Sequence, residues 1–144
     1  LVNFAGKYGI TLRFIELMPI GECAGWDKSH FISGETVLKR VPGLVPIGSD
    51  GVARLYGIPG TSGRVGLISP VSHRFCSDCN RIRITSDGKL KPCLHSGEEI
   101  NLRGLHGEEL ISAIKSGILK KPLRHRLSEG EISGSARNMN AIGG

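Results

Sequence analysis

The stretch "HRFCSDCNRIRITSDGKLKPCL", residues 73–94, carries three of the four cysteines of the chain together with a hairpin signal. The segment "RIRIT" alternates charged or polar residues with apolar ones, which is the period of a β-strand. The pair Asp87-Gly88 follows and is typical of a tight turn between two strands. The stretch therefore predicts an antiparallel hairpin with cysteines at both of its ends.

The length of the hairpin loop decides which side chains share a face. A loop of only Asp87-Gly88 would mix apolar and charged residues on both faces. A three-residue loop, Ser86 to Gly88 with the glycine in the left-handed position, sets Ile84 opposite Leu90. We therefore predict the three-residue loop, with Ile82, Ile84 and Leu90 facing a core and with Arg81, Arg83 and Cys93 on the opposite surface.

The cysteine spacing indicates a metal or redox centre. Cys76 and Cys79 are separated by two residues, so two sulfurs from one loop can bind one centre, and Cys93 follows after thirteen intervening residues. Spacing alone favours zinc, because His73 or His95 can complete a four-ligand site. An iron–sulfur cluster is the alternative, because three thiolates leave one iron open and the nearby arginines would attract an anion to it.

Composition narrows the class of protein. The chain has 144 residues with 39% apolar content, which suits one ordinary globular domain with a modest core. A net charge of +6 and a pI near 9.4 favour an anionic partner. Four cysteines without a secretory leader or a membrane-spanning run point to the cytoplasm, and Cys23, far from the others, is expected to be an ordinary cysteine.

Hydrophobic patterns predict the remaining elements. "TLRFIELMPIG", Thr11 to Gly21, has no clean alternation and predicts a strand buried on both faces of a parallel sheet, with its neighbours expected in a missing part of a longer protein. Ser33 or Gly34 is expected to cap a helix over Glu35 to Arg40. The glycine- and proline-rich residues 42–70 predict short antiparallel strands rather than a phosphate-binding loop.

The C-terminal third reads as a helix and a tail. Apolar residues between Leu105 and Ile118 recur at helical intervals and predict a packing helix that is ended by Gly117 or Pro122. The basic, glycine-ended segment that follows looks, by composition alone, like a frayed terminus.

The motif "FCSDCNRIRITSDGKLKPCL" closely resembles the C-terminal cluster motif of the molybdenum cofactor biosynthesis protein A family, the radical S-adenosylmethionine (SAM) enzymes called GTP 3',8-cyclases. "RFIELMPIG", "WDKS", "YGIPGTSGRVGLISPVSHRFC" and the ending "IGG" follow in the family's order. The resemblance implies a 4Fe-4S cluster held by Cys76, Cys79 and Cys93, which reverses the preference for zinc.

The resemblance also implies binding sites for GTP and SAM. Arg81, Ile82 and Arg83 match the segment that contacts GTP, and Met18 matches the residue whose backbone lines the SAM site. Arg13 is expected to reach toward the triphosphate. Gly143 and Gly144 match a double-glycine end that inserts toward the active site, which argues against a frayed tail.

These inferences combine into one expected architecture. We expect an α+β chain in which residues 1–25 form the last strand region of an incomplete (β/α) radical SAM barrel and residues 26–144 form the iron–sulfur and GTP-binding region. The family converts GTP to (8S)-3',8-cyclo-7,8-dihydroguanosine 5'-triphosphate in molybdenum cofactor (molybdopterin) biosynthesis. A homodimer is expected, with no nucleic-acid or membrane partner.

One departure from the family limits what this chain is expected to do. The family's SAM-cleaving cluster uses a C-x3-C-x2-C motif, and no such spacing occurs among the four cysteines. We therefore expect this stretch to be inactive alone, with that cluster on a missing N-terminal part. The alternatives are a zinc-ribbon module that binds nucleic acid and an accessory iron–sulfur domain of another radical SAM enzyme.

Overall fold

The structure is a computed structural model that describes residues 1–127 and 131–143. It is an α+β chain, as predicted, with two small sheets and, in the described residues, three α-helices. The chain divides into two compact units, the first made of Leu1–Leu17 with Asp27–Asp78 and the second of Met18–Trp26 with Cys79–Gly144. The predicted division into a barrel region, residues 1–25, and an iron–sulfur and GTP-binding region, residues 26–144, stays a prediction.

The first unit contains two helices and a four-stranded mixed sheet. Its strands lie in the order β1, β4, β3, β2, with β1 parallel to β4 and the other pairs antiparallel. The antiparallel strands predicted for the glycine-rich segment and the helix capped near Ser33 are both confirmed. The elements are α1 (Val2–Tyr8), β1 (Thr11–Ile15), α2 (Gly34–Arg40), β2 (Val45–Asp50), β3 (Ala53–Gly57) and β4 (Arg64–Ile68).

Strand β1 departs from its prediction. Its residues alternate between exposed and half-buried, and Ile15 is 59% exposed. The prediction of burial on both faces is therefore wrong. The physical reason is that β1 lies at an edge of the sheet, where it pairs with β4 alone among the described strands. A parallel neighbour therefore lies within this chain, contrary to the prediction that its neighbours lie outside it.

The core of the first unit lies against β3 and β4. Tyr56, Val65 and Leu67 are buried there, and side chains from both helices pack around them. Helix α1 approaches the sheet closely at Gly63, where an added Cβ would lie 2.5 Å from the Ala5 carbonyl oxygen. Only glycine allows this approach of helix and strand.

The second unit contains the predicted hairpin. Its strands β5 (Arg83–Ile84), β6 (Lys89–Lys91) and β7 (Ile100–Asn101) form an antiparallel sheet in that order, followed by α3 (Gly107–Leu119). Ile84 pairs with Leu90, and Gly88 has φ of 76°, so the register and the left-handed glycine are confirmed.

The hairpin core, however, is smaller than predicted. Leu90 is buried, but Ile84 is 51% and Ile82 38% exposed, so the prediction that both isoleucines face a core is wrong. Helix α3 covers β6 and β7, because an added Cβ at Gly117 would meet Leu90 and lie 2.8 Å from Ile100 Cδ1. The apolar side chain of Ile84 on edge strand β5 is not among those that α3 contacts at Gly117, and it stays exposed.

Gly117 therefore has a different role from the predicted one. The helix continues past it to Leu119, with Lys120 as the C-cap, so Gly117 does not end the helix. It is buried inside the helix and provides the close contact with the sheet.

The tail after residue 130 is packed rather than frayed. Ile142 is fully buried, and the Ser133 N–H donates to the Pro19 carbonyl at 2.9 Å. Gly143 has φ of 78°, and an added Cβ there would lie 2.5 Å from the Ile84 carbonyl oxygen. Gly144 lies outside the described residues.

Candidate functional site

The three predicted cysteine ligands belong to different parts of the structure. Cys76 begins a short 3₁₀ turn at the end of the first unit, whereas Cys79 and Cys93 belong to the second unit. All three are free and half-buried. Within residues 1–127 and 131–143 no group of three or more His, Cys, Asp or Glu side chains is arranged to hold a metal ion. The ligand set stays a prediction.

The surroundings of Cys79, one of the three predicted ligands, shift the pKa of its thiol. Burial by itself raises the pKa of its thiol, but the Arg81 backbone N–H and the Lys121 ammonium favour the thiolate and lower the pKa overall. A half-buried sulfur whose surroundings favour its thiolate form suits metal ligation.

Lys121 contacts the loop of the predicted ligand Cys79 and was not predicted from the sequence. Its Nζ donates to the Cys79 carbonyl at 2.5 Å, to the Arg81 carbonyl at 2.9 Å and to the Cys79 Sγ at 3.4 Å. Its position directly after α3 and before Pro122 was visible in the sequence. No local pattern, however, links it to a loop some forty residues earlier.

The predicted GTP-binding segment follows Cys79 directly. Arg81 and Ile82 are exposed, and Arg83 is half-buried on β5, where it pairs with Lys91. Continuing the observed register by two residues would set Arg81 opposite Cys93, although the ladder itself covers only Arg83 and Ile84. The segment therefore offers two guanidiniums, that of Arg81 on an exposed residue and that of Arg83 on a half-buried one.

Lys91 adds a buried positive charge to this region. Only 1% of the residue is exposed, and its Nζ donates to the Ser96 carbonyl at 2.5 Å. Burial lowers the pKa of its ammonium, and the nearby Glu99 carboxylate opposes that shift. The hairpin therefore carries cationic side chains on both of its strands.

The two histidines proposed as zinc ligands are placed differently. His73 contacts the Ser72 hydroxyl through Nδ1 at 3.2 Å. His95 Nδ1 lies 3.2 Å from the Ser133 hydroxyl, and its ring stacks edge-on against His125 with centroids 4.9 Å apart. Burial and nearby cations lower the pKa of His95 to about 4. His95 is therefore a neutral imidazole at pH 7.

Arg137 forms a clamp with the carboxylates of Glu99 and Asp87 and so joins the C-terminal segment, residues 131–143, to the hairpin. The Arg137 guanidinium makes a forked pair with Glu99, with Nε at 2.5 Å and Nη2 at 2.7 Å, and Nη2 also donates to Asp87 at 2.8 Å. These bonds lower the pKa of both carboxyls and raise that of Arg137. The clamp fixes residue 137 six positions before Gly143.

Two positions before the predicted SAM residue Met18 lies a buried carboxylate, Glu16, which was not among the predicted site residues. Met18 is half-buried, and its carbonyl accepts from the Ile20 N–H at 2.8 Å. Glu16, only 3% exposed, accepts from the backbone N–H groups of Gly34, Val71 and Ser72 and from the Ser72 hydroxyl. Arg13, the residue expected near the triphosphate, donates to Asp50.

Comparison with known proteins establishes the class of protein. The family described as Molybdenum Cofactor Synthesis C matches residues 10–127, most of the chain. The chain therefore belongs to this family, and the resemblance seen in the sequence is confirmed.

Individual relatives agree with the family. The chain is 52% identical over 140 residues to a GTP 3',8-cyclase of Alkaliphilus metalliredigens, and the match covers 94% of this chain and 44% of that protein. It is 49% identical to the GTP 3',8-cyclase of Alkaliphilus oremlandii over the same shares, and 44% identical to that of Clostridium botulinum over 99% of this chain and 46% of that protein. The chain spans somewhat less than half the length of these relatives.

Among the described residues no helix is both long enough and apolar enough to span a bilayer.

Proposed function

We propose that this chain is the part of a GTP 3',8-cyclase that binds a 4Fe-4S cluster and GTP. Cys76, Cys79 and Cys93 are the proposed cluster ligands, and Arg81 to Arg83 and Met18 are the proposed GTP and SAM contacts. The reaction is the radical SAM conversion of GTP to (8S)-3',8-cyclo-7,8-dihydroguanosine 5'-triphosphate. The family membership and the names of the relatives support a role in molybdenum cofactor synthesis.

One observation carries the proposal beyond family membership. In the second unit, the surroundings of Cys79 favour its thiolate, and the exposed Arg81 follows two residues later. The Lys121 ammonium donates to the backbone carbonyls of both residues. A structural zinc ribbon gives the arginine no task, whereas a cluster that accepts an anionic nucleotide requires a cation beside the ligand.

The donor chemistry of these residues suits the cluster. All three cysteines are free and half-buried, which leaves their sulfurs available for ligation. A 4Fe-4S cluster bound by three thiolates would supply one iron with an open coordination position for the guanine base. The part of this chain is to attract and orient the nucleotide, through the charges of Arg81 and Arg83 and the fixed hairpin that presents them.

The test is cofactor and GTP binding by the protein, expressed with whatever residues its gene encodes before Leu1 and purified without oxygen. We expect iron and sulfide, a brown absorption band and a spectral change on addition of GTP. Arg81→Met should weaken GTP binding by roughly 10- to 100-fold at unchanged iron content, because a hydrogen bond to a charged group is worth about 1.5–3 kcal/mol. Arg103→Met, which removes another exposed arginine, is the matched control.

Cys93→Ala tests the proposed ligation of the cluster. It should lose both the iron of this site and the spectral response to GTP, since the ligand itself is removed. Stoichiometric zinc without iron in the parent protein would contradict the proposed function. An R81M variant that binds GTP as tightly as R103M would remove Arg81 from the site.

A further inference from the structure

Lys121 makes a complete set of contacts to one loop. An ammonium has three N–H donors, and among residues 1–127 and 131–143 Nζ reaches three acceptors. These are the Cys79 carbonyl at 2.5 Å, the Arg81 carbonyl at 2.9 Å and the Cys79 sulfur at 3.4 Å. Such a grip fixes the loop at both of its ends. Neither the family comparison nor the motif assigns any role to this lysine.

The ammonium stands on a rigid base. Lys121 directly follows the C-cap of α3, its own N–H donates to the Ile118 carbonyl at 3.1 Å, and Pro122 follows. The helix in turn is set against the sheet through buried Gly117. The backbone that carries the Lys121 side chain is therefore fixed by packing, and Nζ is held by its contacts to the Cys79–Arg81 loop.

We propose that Lys121 is a positioning residue for the cluster site, holding the Cys79–Arg81 loop and donating a hydrogen bond to the ligating sulfur of Cys79. This inference rests on the proposed function, because it concerns the same sulfur and the same arginine. Hydrogen bonds to ligand sulfurs and nearby positive charge stabilise the reduced state of an iron–sulfur cluster. The two carbonyl contacts fix the backbone that presents Arg81 to the nucleotide.

The experiment compares Lys121→Met with Lys120→Met in the anaerobically purified protein, again expressed with whatever residues precede Leu1 in its gene. Lys120 is the exposed neighbour, so K120M removes the same charge one residue away from the contact. The readouts are iron content, the midpoint potential of the cluster whose spectrum responds to GTP, and the Kd for GTP. We expect K121M to keep its iron, to show a more negative midpoint potential and to bind GTP several-fold more weakly, with K120M like the parent.

A structural role alone would leave the potential unchanged, so a K121M potential and Kd equal to those of K120M would overturn the inference. If K121M does not fold, Lys121→Gln replaces it, because a neutral amide keeps a hydrogen-bond donor for one of the two carbonyls. An unchanged midpoint potential in K121Q would equally overturn the inference. A parent protein that takes up no iron would defeat the proposed function, whereas a parent that binds iron and GTP beside an unaltered K121M would defeat this inference alone.

Discussion

The buried carboxylate of Glu16 allows a sharp test of what holds the first unit together. Its two oxygens accept from three backbone N–H groups, those of Gly34 at 3.0 Å, Val71 at 3.1 Å and Ser72 at 2.9 Å, and also from the Ser72 hydroxyl. One side chain thereby links the end of β1, the start of α2 and the segment after β4. Glu16→Gln keeps the shape and removes the charge.

The magnitude follows from counting donors. If the glutamine carbonyl faces the Val71 and Ser72 N–H groups, its NH₂ faces the Gly34 N–H and leaves that donor unpaired, at a cost of about 1–3 kcal/mol. The two remaining bonds lose their charge assistance, roughly 1 kcal/mol each. We therefore expect E16Q to lower the free energy of unfolding by about 3–5 kcal/mol.

The assay is urea unfolding followed by far-UV circular dichroism, in which such a loss moves the midpoint by roughly 2 M for a typical urea dependence. The matched control is Glu35→Gln, because Glu35 forms an exposed pair with Arg54 at 3.2 Å and should cost less than about 1 kcal/mol. An E16Q protein as stable as E35Q would refute the reasoning.

The same carboxylate predicts a pH dependence. Its hydrogen bonds outweigh the effect of burial and lower the pKa of Glu16 in the folded state. The stabilisation is therefore fully present above the unfolded-state value of about 4.3 and is lost as pH falls through the lower folded pKa. The stability gap between the parent and E16Q should be constant near neutrality and should narrow only in acid.

Two further predictions concern the second unit. Gly117→Ala should destabilise the chain by about 1–2 kcal/mol in thermal unfolding, because overpacking against Leu90 exceeds the gain in helix propensity, whereas Ser112→Ala on the exposed face of α3 should be neutral or better. Arg137→Met should speed amide hydrogen exchange in residues 131–143, since the clamp to two carboxylates is lost; exchange equal to that of an Arg126→Met control would show that the clamp does not hold the tail.

Much of the fold followed from local pattern. The alternation of "RIRIT" and the turn chemistry at Gly88 were enough to predict the hairpin register, because side-chain alternation and positive φ are properties of neighbouring residues. The two helices at Gly34–Arg40 and Gly107–Leu119 were predicted from a cap and from periodicity for the same reason. The cysteine motif was specific enough to identify the family.

What local pattern could not supply is the partner of each element. Strand β1 pairs in parallel with β4, more than fifty positions later, and that pairing left its outer face open where the hydrophobic run suggested burial. The exposure of Ile84 was misjudged likewise, because the position of α3 over β6 is set by packing at Gly117.

The sequence by itself therefore determined the family, the hairpin and the residues proposed to carry the chemistry. Only the tertiary structure decided which distant groups form hydrogen bonds with one another. These pairs are Lys121 with Cys79, Arg137 with Glu99, and Glu16 with three backbone N–H groups. The reason is physical: a strand or turn is fixed by the conformations of adjacent residues, whereas a buried charge is satisfied by whichever donors packing brings to it, at any distance along the chain.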